Sequence, residues 1–129
     1  MKTFGVIISC FNAEENLERA IKALIQNQLL DQIIIYDDGS TDKTKDIISN
    51  YKRTEKIEIF LSEKNLGTVN AINLMLEKVK TDYVLFASSS DQISHHIVEE
   101  ARKDIFRFGS CGLWTAKATY LENSDFVKY

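Results

Sequence analysis

One stretch constrains the fold more than any other: an apolar run that ends abruptly in two carboxylates, a glycine and hydroxyl side chains. Residues 33–36 are Ile-Ile-Ile-Tyr, and the next six are Asp-Asp-Gly-Ser-Thr-Asp. The apolar run predicts a strand buried on both faces, as in a parallel sheet, and its carboxyl end is where an open α/β sheet binds ligands. Gly39 permits a tight turn, and Ser40 or Thr41 is a candidate cap for a following helix. The stretch therefore predicts a polar pocket.

The rest of the chain alternates short apolar runs with longer amphipathic segments. Strands are predicted at 4–10, 33–36, 56–61, 83–87 and 111–121, and helices at 13–28, 41–52, 67–79 and 94–108. Such alternation predicts right-handed crossovers and a mainly parallel sheet. The expected fold class is α/β, a Rossmann-like three-layer sandwich, with residues 1–129 as a single domain.

Local patterns also predict caps and inner faces. Asn12 is a candidate N-cap for the first helix. Apolar spacing predicts the inner face of the first helix at Leu17, Ala20, Ile21, Leu24 and Ile25, and that of the third helix at Val69, Ile72, Leu76 and Val79. These stripes are typical of a core rather than of a binding site.

Composition excludes several classes of protein. A net charge of −3 gives no electrostatic reason to expect nucleic acid or an anionic membrane as partner. Cys10 and Cys111 are the two cysteines, and their spacing is not that of a metal site, so free thiols in a reducing compartment are expected. No apolar run approaches the ~20 residues of a transmembrane segment, and no signal peptide is recognised. The sequence therefore predicts a cytoplasmic location.

Three segments carry a family resemblance. They are Val-Ile-Ile-Ser-Cys-Phe-Asn-Ala-Glu-Glu-Asn-Leu at 6–17, Asp-Asp-Gly-Ser-Thr-Asp at 37–42 and Lys-Asn-Leu-Gly at 64–67. In this order and spacing, the chain resembles the nucleotide-sugar-binding half of the inverting family 2 glycosyltransferases with the GT-A fold. The resemblance implies an enzyme that moves a sugar from a nucleotide-diphosphate donor, a UDP-sugar first of all, to an acceptor hydroxyl with inversion.

The resemblance implies donor contacts at the strand ends, where Asn12, Asp38 and Asp91 are expected to converge on one crevice. The substrate-binding residues that it implies are Cys10, Phe11, Asn12, Asp37, Asp38, Gly67 and Asn73. A carboxylate is the strongest acceptor for an imide N–H or a ribose hydroxyl, and the backbone near Phe11 would lie alongside the base. Alternatively, Asp37 and Asp38 only satisfy backbone donors of the turn. Since neighbouring residues of a strand point in opposite directions, one of the two can be structural.

The segment after the fourth strand is Ser-Ser-Ser-Asp at 88–91. In the family this position reads Asp-x-Asp or a relative of it, so the resemblance implies a divalent metal, Mn or Mg, at Asp91 that neutralises the leaving diphosphate. Ser88 and Ser90 stand in place of acids and weaken this site, because hydroxyls bring no charge. The alternative is that Asp91 is only a turn residue. Ile72 stands where many members have an arginine, which removes a possible phosphate contact.

No catalytic residue is assigned, because in the family the general base and the acceptor pocket come from a further stretch of chain. The acceptor half is thus expected to be absent, and this chain is expected to be a fragment with little activity of its own. The acceptor, whether glycan, lipid or protein, and the oligomeric state stay open. One rival interpretation is a degenerate, non-catalytic GT-A-like interaction module. A phospho-acceptor receiver domain is a weaker rival, because its acid pair would follow the first strand.

Overall fold

The computed structural model describes residues 1–91, 93–109, 120–122 and 125–127. In chain order the elements are β1 Phe4–Cys10, α1 Leu17–Gln26, β2 Gln32–Asp37, α2 Thr44–Ser49, β3 Ile57–Leu61, α3 Thr68–Leu76, β4 Tyr83–Ser88, α4 His95–Phe108, β5 Tyr120–Glu122 and β6 Asp125–Val127. The first four strands form a parallel sheet in the order β3-β2-β1-β4, and β5 pairs antiparallel with β6. The predicted α/β Rossmann-like fold is confirmed. Of the predicted last strand, residues 111–119 lie outside the described residues, and so does Cys111.

The register of the sheet brings three strand ends to one edge. Cys10 at the end of β1 lies opposite Asp37 of β2, and Ser9 lies opposite Ser88 of β4. Adjacent strands are about 4.8 Å apart, so the ends of β2 and β4, which flank β1, lie roughly 10 Å from each other. The segments that begin at Asp38 and lead to Asp91 therefore leave the same edge of the sheet, as expected from the sequence.

The larger core lies between one face of the sheet and α1, α2 and α4. The predicted inner stripe of α1 is confirmed, since Leu17, Ala20, Ile21 and Leu24 are at most 2% exposed. Every residue of β2 is buried, because helices cover both faces of this strand. Within the described ranges, no helix combines the length and the apolarity needed to cross a bilayer.

α3 packs on the opposite face of the sheet, in a rotation that differs from the predicted one. Its buried residues are Ala71 and Met75, at 0% and 1% exposure, whereas Val69 is 73% and Leu76 is 40% exposed. The prediction was therefore wrong for Val69 and Leu76. α3 carries apolar residues around most of its circumference, so spacing alone does not select the buried side. Ile72 and Val79 do pack at the edge of this smaller core.

Because α3 buries Met75 and leaves Leu76 partly exposed, alanine substitutions at these neighbouring positions are expected to reduce stability by different amounts. Met75→Ala is expected to lower the free energy of unfolding by about 2–4 kcal/mol, because it leaves a cavity against the sheet. Leu76→Ala is expected to cost less than about 1 kcal/mol, because its side chain is partly in water already. Urea denaturation of both variants measures the difference. Equal losses, or a larger loss for Leu76→Ala, would contradict this packing.

Candidate functional site

A cleft of about 180 Å³ opens at the carboxyl edge of the sheet, between the end of β1 and the β3–α3 loop. Its lining consists of Ser9, Cys10, Phe11, Asp38, Asn65, Gly67 and Thr68. A larger hollow of about 500 Å³ runs along the outer surface of α1 among mostly charged side chains, including Glu14, Glu18 and Lys22. Of these two cavities, the cleft is the one that gathers residues from several strand ends, which is where open α/β sheets bind ligands. The smaller cleft is thus the candidate site.

Asp38 holds the two walls of the cleft together. It is 4% exposed, its Oδ1 accepts from the N–H of Leu66 at 2.7 Å, and its Oδ2 accepts from the N–H of Gly67 at 2.8 Å. Its own N–H donates to the carbonyl oxygen of Cys10 at 2.9 Å. A carboxylate offers about four acceptor positions, so Asp38 can hold this loop and still accept from a ligand in the cleft.

Two glycines shape the β3–α3 side of the cleft. Gly39 has a φ of +77°, and a Cβ at this position would lie 2.6 Å from the carbonyl carbon of Lys64. The turn after β2 therefore touches the backbone of the β3–α3 loop directly. Gly67 has a φ of +87°, and within the described ranges a Cβ there would meet no atom closer than 4 Å. Its open side leaves room for a ligand to approach the backbone.

Asp37 lies on the other side of β2 and does not line the cleft. Its side chain is fully buried, and its Oδ2 accepts from the N–H of Ser40 at 3.1 Å and lies 3.8 Å from Lys45 Nζ. Its Oδ1 is buried without a hydrogen-bond partner among the described residues. The two adjacent carboxylates thus have different surroundings, and Asp37 faces the protein interior.

Asn12 does not cap α1, which begins only at Leu17. Instead its Oδ1 accepts from the N–H of Thr41 at 2.9 Å, and its own N–H donates to Ser40 Oγ at 2.9 Å. Asn12 therefore joins the loop after β1 to the turn after β2. The predicted cap was wrong because the loop after β1 continues to residue 16. Asn12 therefore lies away from the start of α1 and next to the turn after β2.

The predicted caps of α2 are also wrong. α2 begins at Thr44, and the side chain that accepts from the N–H of Thr44, at 2.9 Å, is that of Asp42. Ser40 and Thr41 are used in contacts with the loop after β1. The second oxygen of Asp42 accepts from the N–H of Glu14 at 3.2 Å. The acidic turn after β2 is thus hydrogen-bonded to the start of α2 and to the loop after β1.

Cys10 and Phe11 form the β1 side of the cleft. Cys10 is 3% exposed, and its Sγ donates to the carbonyl oxygen of Tyr36 at 3.4 Å. Burial raises the pKa of the Cys10 thiol to about 12, with a further contribution from the charge of Asp37. The thiol is therefore neutral at physiological pH and is not a nucleophile. Phe11 is 47% exposed and is one of the residues that line the cleft.

Asp91 closes a turn with the end of β4. Its Oδ2 accepts from the N–H of Ser88 at 2.7 Å, and its own N–H donates to the carbonyl oxygen of Ser88 at 3.1 Å. The hydroxyls of Ser88 and Ser90 are 3.0 Å apart. In the part of the chain that the structure describes, no three His, Cys, Asp or Glu side chains are grouped to hold a metal ion. One carboxylate beside two hydroxyls is a poor set of ligands for a divalent cation on its own.

The cleft contains residues that sequence reasoning did not assign to the donor. These are Ser9, Asn65 and Thr68. Asn65 Oδ1 accepts from the N–H of Gly67 at 3.0 Å, a side-chain turn that the spacing Asn-x-Gly could have indicated. Asn73 was assigned, but it is exposed on α3 and does not line the cleft.

Several known proteins resemble this chain in sequence and in fold. The sequence profile of glycosyl transferase family 2 matches residues 5–108. An uncharacterized glycosyltransferase of Haemophilus influenzae is 32% identical over 102 residues, which cover 78% of this chain and 41% of that protein. The structure of S. aureus TarS 1–349 in complex with UDP has a TM-score of 0.73 and 25% identity, and covers 81% of this chain and 32% of that chain.

A second solved structure is glucosyl-3-phosphoglycerate synthase from Mycobacterium tuberculosis in complex with Mn²⁺, UDP and glucosyl-3-phosphoglycerate. It has a TM-score of 0.56 and 25% identity, and covers 68% of this chain and 33% of that chain. The chain thus spans less than half the length of each of these relatives.

Proposed function

The chain belongs to glycosyl transferase family 2, and from this premise we propose that its cleft binds the nucleoside diphosphate of a nucleotide-sugar donor, with UDP-sugar as the first candidate. The observation that supports the proposal is the cleft itself, whose lining includes both Asp38 and Phe11 at the edge of the sheet. TarS, which has the same fold, was solved with UDP. An aromatic ring beside a carboxylate suits a nucleobase, which stacks on the ring and donates an N–H to the carboxylate.

Each side chain then has a distinct part in binding. Phe11 provides a surface for the base, and Asp38 accepts from the base or the ribose. Cys10 contributes the cleft wall through its backbone, because its thiol is buried and neutral. The open side of Gly67 lets the ligand approach the backbone closely. Asn73 lies outside the cleft lining, so its contact with the donor stays a prediction.

We assign to the parent protein the transfer of the donor's sugar to an acceptor hydroxyl with inversion. Residues 1–129 are proposed as one donor-binding domain with little transfer activity alone. The acceptor, the general base and the oligomeric state are unassigned, and the cytoplasmic location stays a prediction from the sequence. Transfer requires a base that deprotonates the acceptor as it attacks the anomeric carbon. Incubating the full-length protein and residues 1–129 with a radiolabelled donor tests whether sugar transfer requires the full-length protein.

The second candidate function is a degenerate interaction module without catalysis. The turn at 88–91 favours it, because Asp91 bonds to Ser88 and three serines precede it. Under this alternative, Asp38→Ala and Asp91→Ala would cause no measurable change in nucleotide affinity, while binding to a protein partner persisted. If the cleft is a donor site, Asp38→Ala must instead lower the nucleotide affinity.

Metal dependence is proposed to be weak. Oδ2 of Asp91 already accepts from the N–H of Ser88, so this single carboxylate has fewer free acceptor positions for a cation. The uncharged hydroxyls of Ser88 and Ser90 add little, so the cation would need further oxygens from the donor's diphosphate. A bound Mn²⁺ or Mg²⁺ would supply positive charge against the leaving diphosphate.

This proposal predicts how manganese changes UDP binding. Manganese is expected to tighten UDP binding by about tenfold at most, or ~1.4 kcal/mol, because the protein offers a single carboxylate. Asp91→Ala is expected to remove this gain and to leave the metal-free affinity unchanged. Titration calorimetry with UDP, with and without manganese, measures both quantities.

Asp46→Ala is the matched control, since it removes one exposed carboxylate from α2. The gain from manganese should survive in this variant. A gain that also survives Asp91→Ala would rule out Asp91 as the ligand. If the folded wild-type protein gives no heat at millimolar UDP, the donor site itself is wrong.

A further inference from the structure

Asn12 has an unusual backbone conformation. Its φ is +47°, and it is the one non-glycine residue with positive φ within the described part of the chain. This left-handed conformation is unfavourable for an ordinary residue and is tolerated best by glycine, asparagine and aspartate. Such a conformation persists only where the surroundings hold it in place.

The surroundings that hold Asn12 are contacts with a single turn. Its N–H donates to Ser40 Oγ at 2.9 Å, and its Oδ1 accepts from the N–H and the hydroxyl of Thr41 at 2.9 and 3.4 Å. The next residue extends the connection, because the N–H of Ala13 donates to Thr44 Oγ1 at 2.8 Å. Ser40 and Thr44 are at most 4% exposed, so the acceptors on this side are buried and well fixed.

Asn12 itself does not line the cleft, but its preceding neighbour Phe11 does. Phe11 is 47% exposed, so little packing from the core fixes its ring. The direction in which the backbone leaves Phe11 is set by the left-handed turn at Asn12. Fixing Asn12 against the β2–α2 turn therefore also fixes Phe11 relative to Asp38, which leads into that turn.

We propose that Asn12 is a positioning residue of the donor site: by joining the loop after β1 to the turn after β2, it holds Phe11 where a nucleobase can stack. This inference rests on the proposed function, and it gives Asn12 a role that acts through Phe11 and needs no contact with the ligand. The contribution of Asn12 to UDP affinity should therefore disappear when the Phe11 ring is absent.

A double-mutant cycle tests this dependence. Asn12→Gly retains a backbone that tolerates positive φ but removes the acceptor for Thr41. It is expected to weaken UDP binding about five- to tenfold in the wild-type background, roughly 1–1.4 kcal/mol. In a Phe11→Ala background, the same substitution is expected to change the affinity by less than about twofold. The melting temperature is expected to fall by the same amount in both backgrounds, because Asn12→Gly removes the same hydrogen bond to Thr41 in each.

Ser40→Ala is the second variant, since it removes the acceptor for the Asn12 N–H without changing residue 12. It should show the same dependence on Phe11. Val98→Ala is the stability control, because Val98 is fully buried in α4, and it should lower the melting temperature without changing UDP affinity. Equal affinity losses in both backgrounds, or no loss in either, would overturn the positioning role. If the wild-type protein does not bind UDP, the proposed function fails instead.

Discussion

Replacing Asp38 with alanine is expected to abolish measurable UDP binding and to lower the free energy of unfolding by about 2–6 kcal/mol. The stability loss arises because the N–H groups of Leu66 and Gly67 both lose their acceptor, at roughly 1–3 kcal/mol for each unsatisfied group. The affinity loss arises because the carboxylate that lines the cleft disappears and the β3–α3 wall is released. Urea denaturation and UDP titration calorimetry measure the two effects on the same samples.

Asp38→Asn separates the two roles of the carboxylate. The asparagine oxygen can still accept from one of the two backbone N–H groups, so about half of the stability loss is expected. Its NH₂ group is a donor and cannot accept from a ligand, so the affinity should fall nearly as far as in Asp38→Ala. If Asp38→Asn binds UDP as tightly as the wild-type protein, Asp38 serves only to hold the loop.

The positions of the strands could be predicted because their cause is local. The uninterrupted apolar run at 33–36, with three β-branched residues, favours a strand covered on both faces, and β2 is such a strand. The stripe of α1 was equally clear, because Glu18, Arg19 and Lys22 alternate with Leu17 and Ile21 and leave one side apolar. α3 lacks this contrast, so its rotation depends on how the β3–α3 loop is fixed, which the sequence of α3 alone does not determine.

The details of the site depend on contacts between distant residues. Asn12 was expected to cap its own helix, but its partners Ser40 and Thr41 lie 28 and 29 positions away. Alternation along a strand indicated that Asp37 and Asp38 point in opposite directions. It did not indicate which of them faces the cleft, because that depends on where the β3–α3 loop crosses the edge of the sheet.

Next to the cleft, Gly39→Ala is expected to be the most damaging substitution that adds a single methyl group. The new Cβ would lie 2.6 Å from the carbonyl carbon of Lys64 and 2.7 Å from the nitrogen of Asn65. Both are backbone atoms, so the β3–α3 loop must move away as a unit. The clash adds about 1–3 kcal/mol to the roughly 1–2 kcal/mol cost of positive φ, a total loss of about 2–5 kcal/mol in the free energy of unfolding.

Gly109→Ala isolates the backbone cost, because Gly109 has a φ of +83° after α4 and a Cβ there would meet no atom of the described residues within 4 Å. It is expected to lose stability by the positive-φ cost alone and to bind UDP normally.

Gly67→Ala should have a similar stability cost, but it should weaken UDP binding because its methyl group projects into open space at the cleft. Gly39→Ala should combine a larger stability loss with weakened binding, since moving the β3–α3 loop draws Leu66 and Gly67 away from Asp38. If Gly39→Ala proves no more costly than Gly109→Ala, the close contact between the two loops does not exist in solution, and the cleft is not preformed in the way that its walls imply.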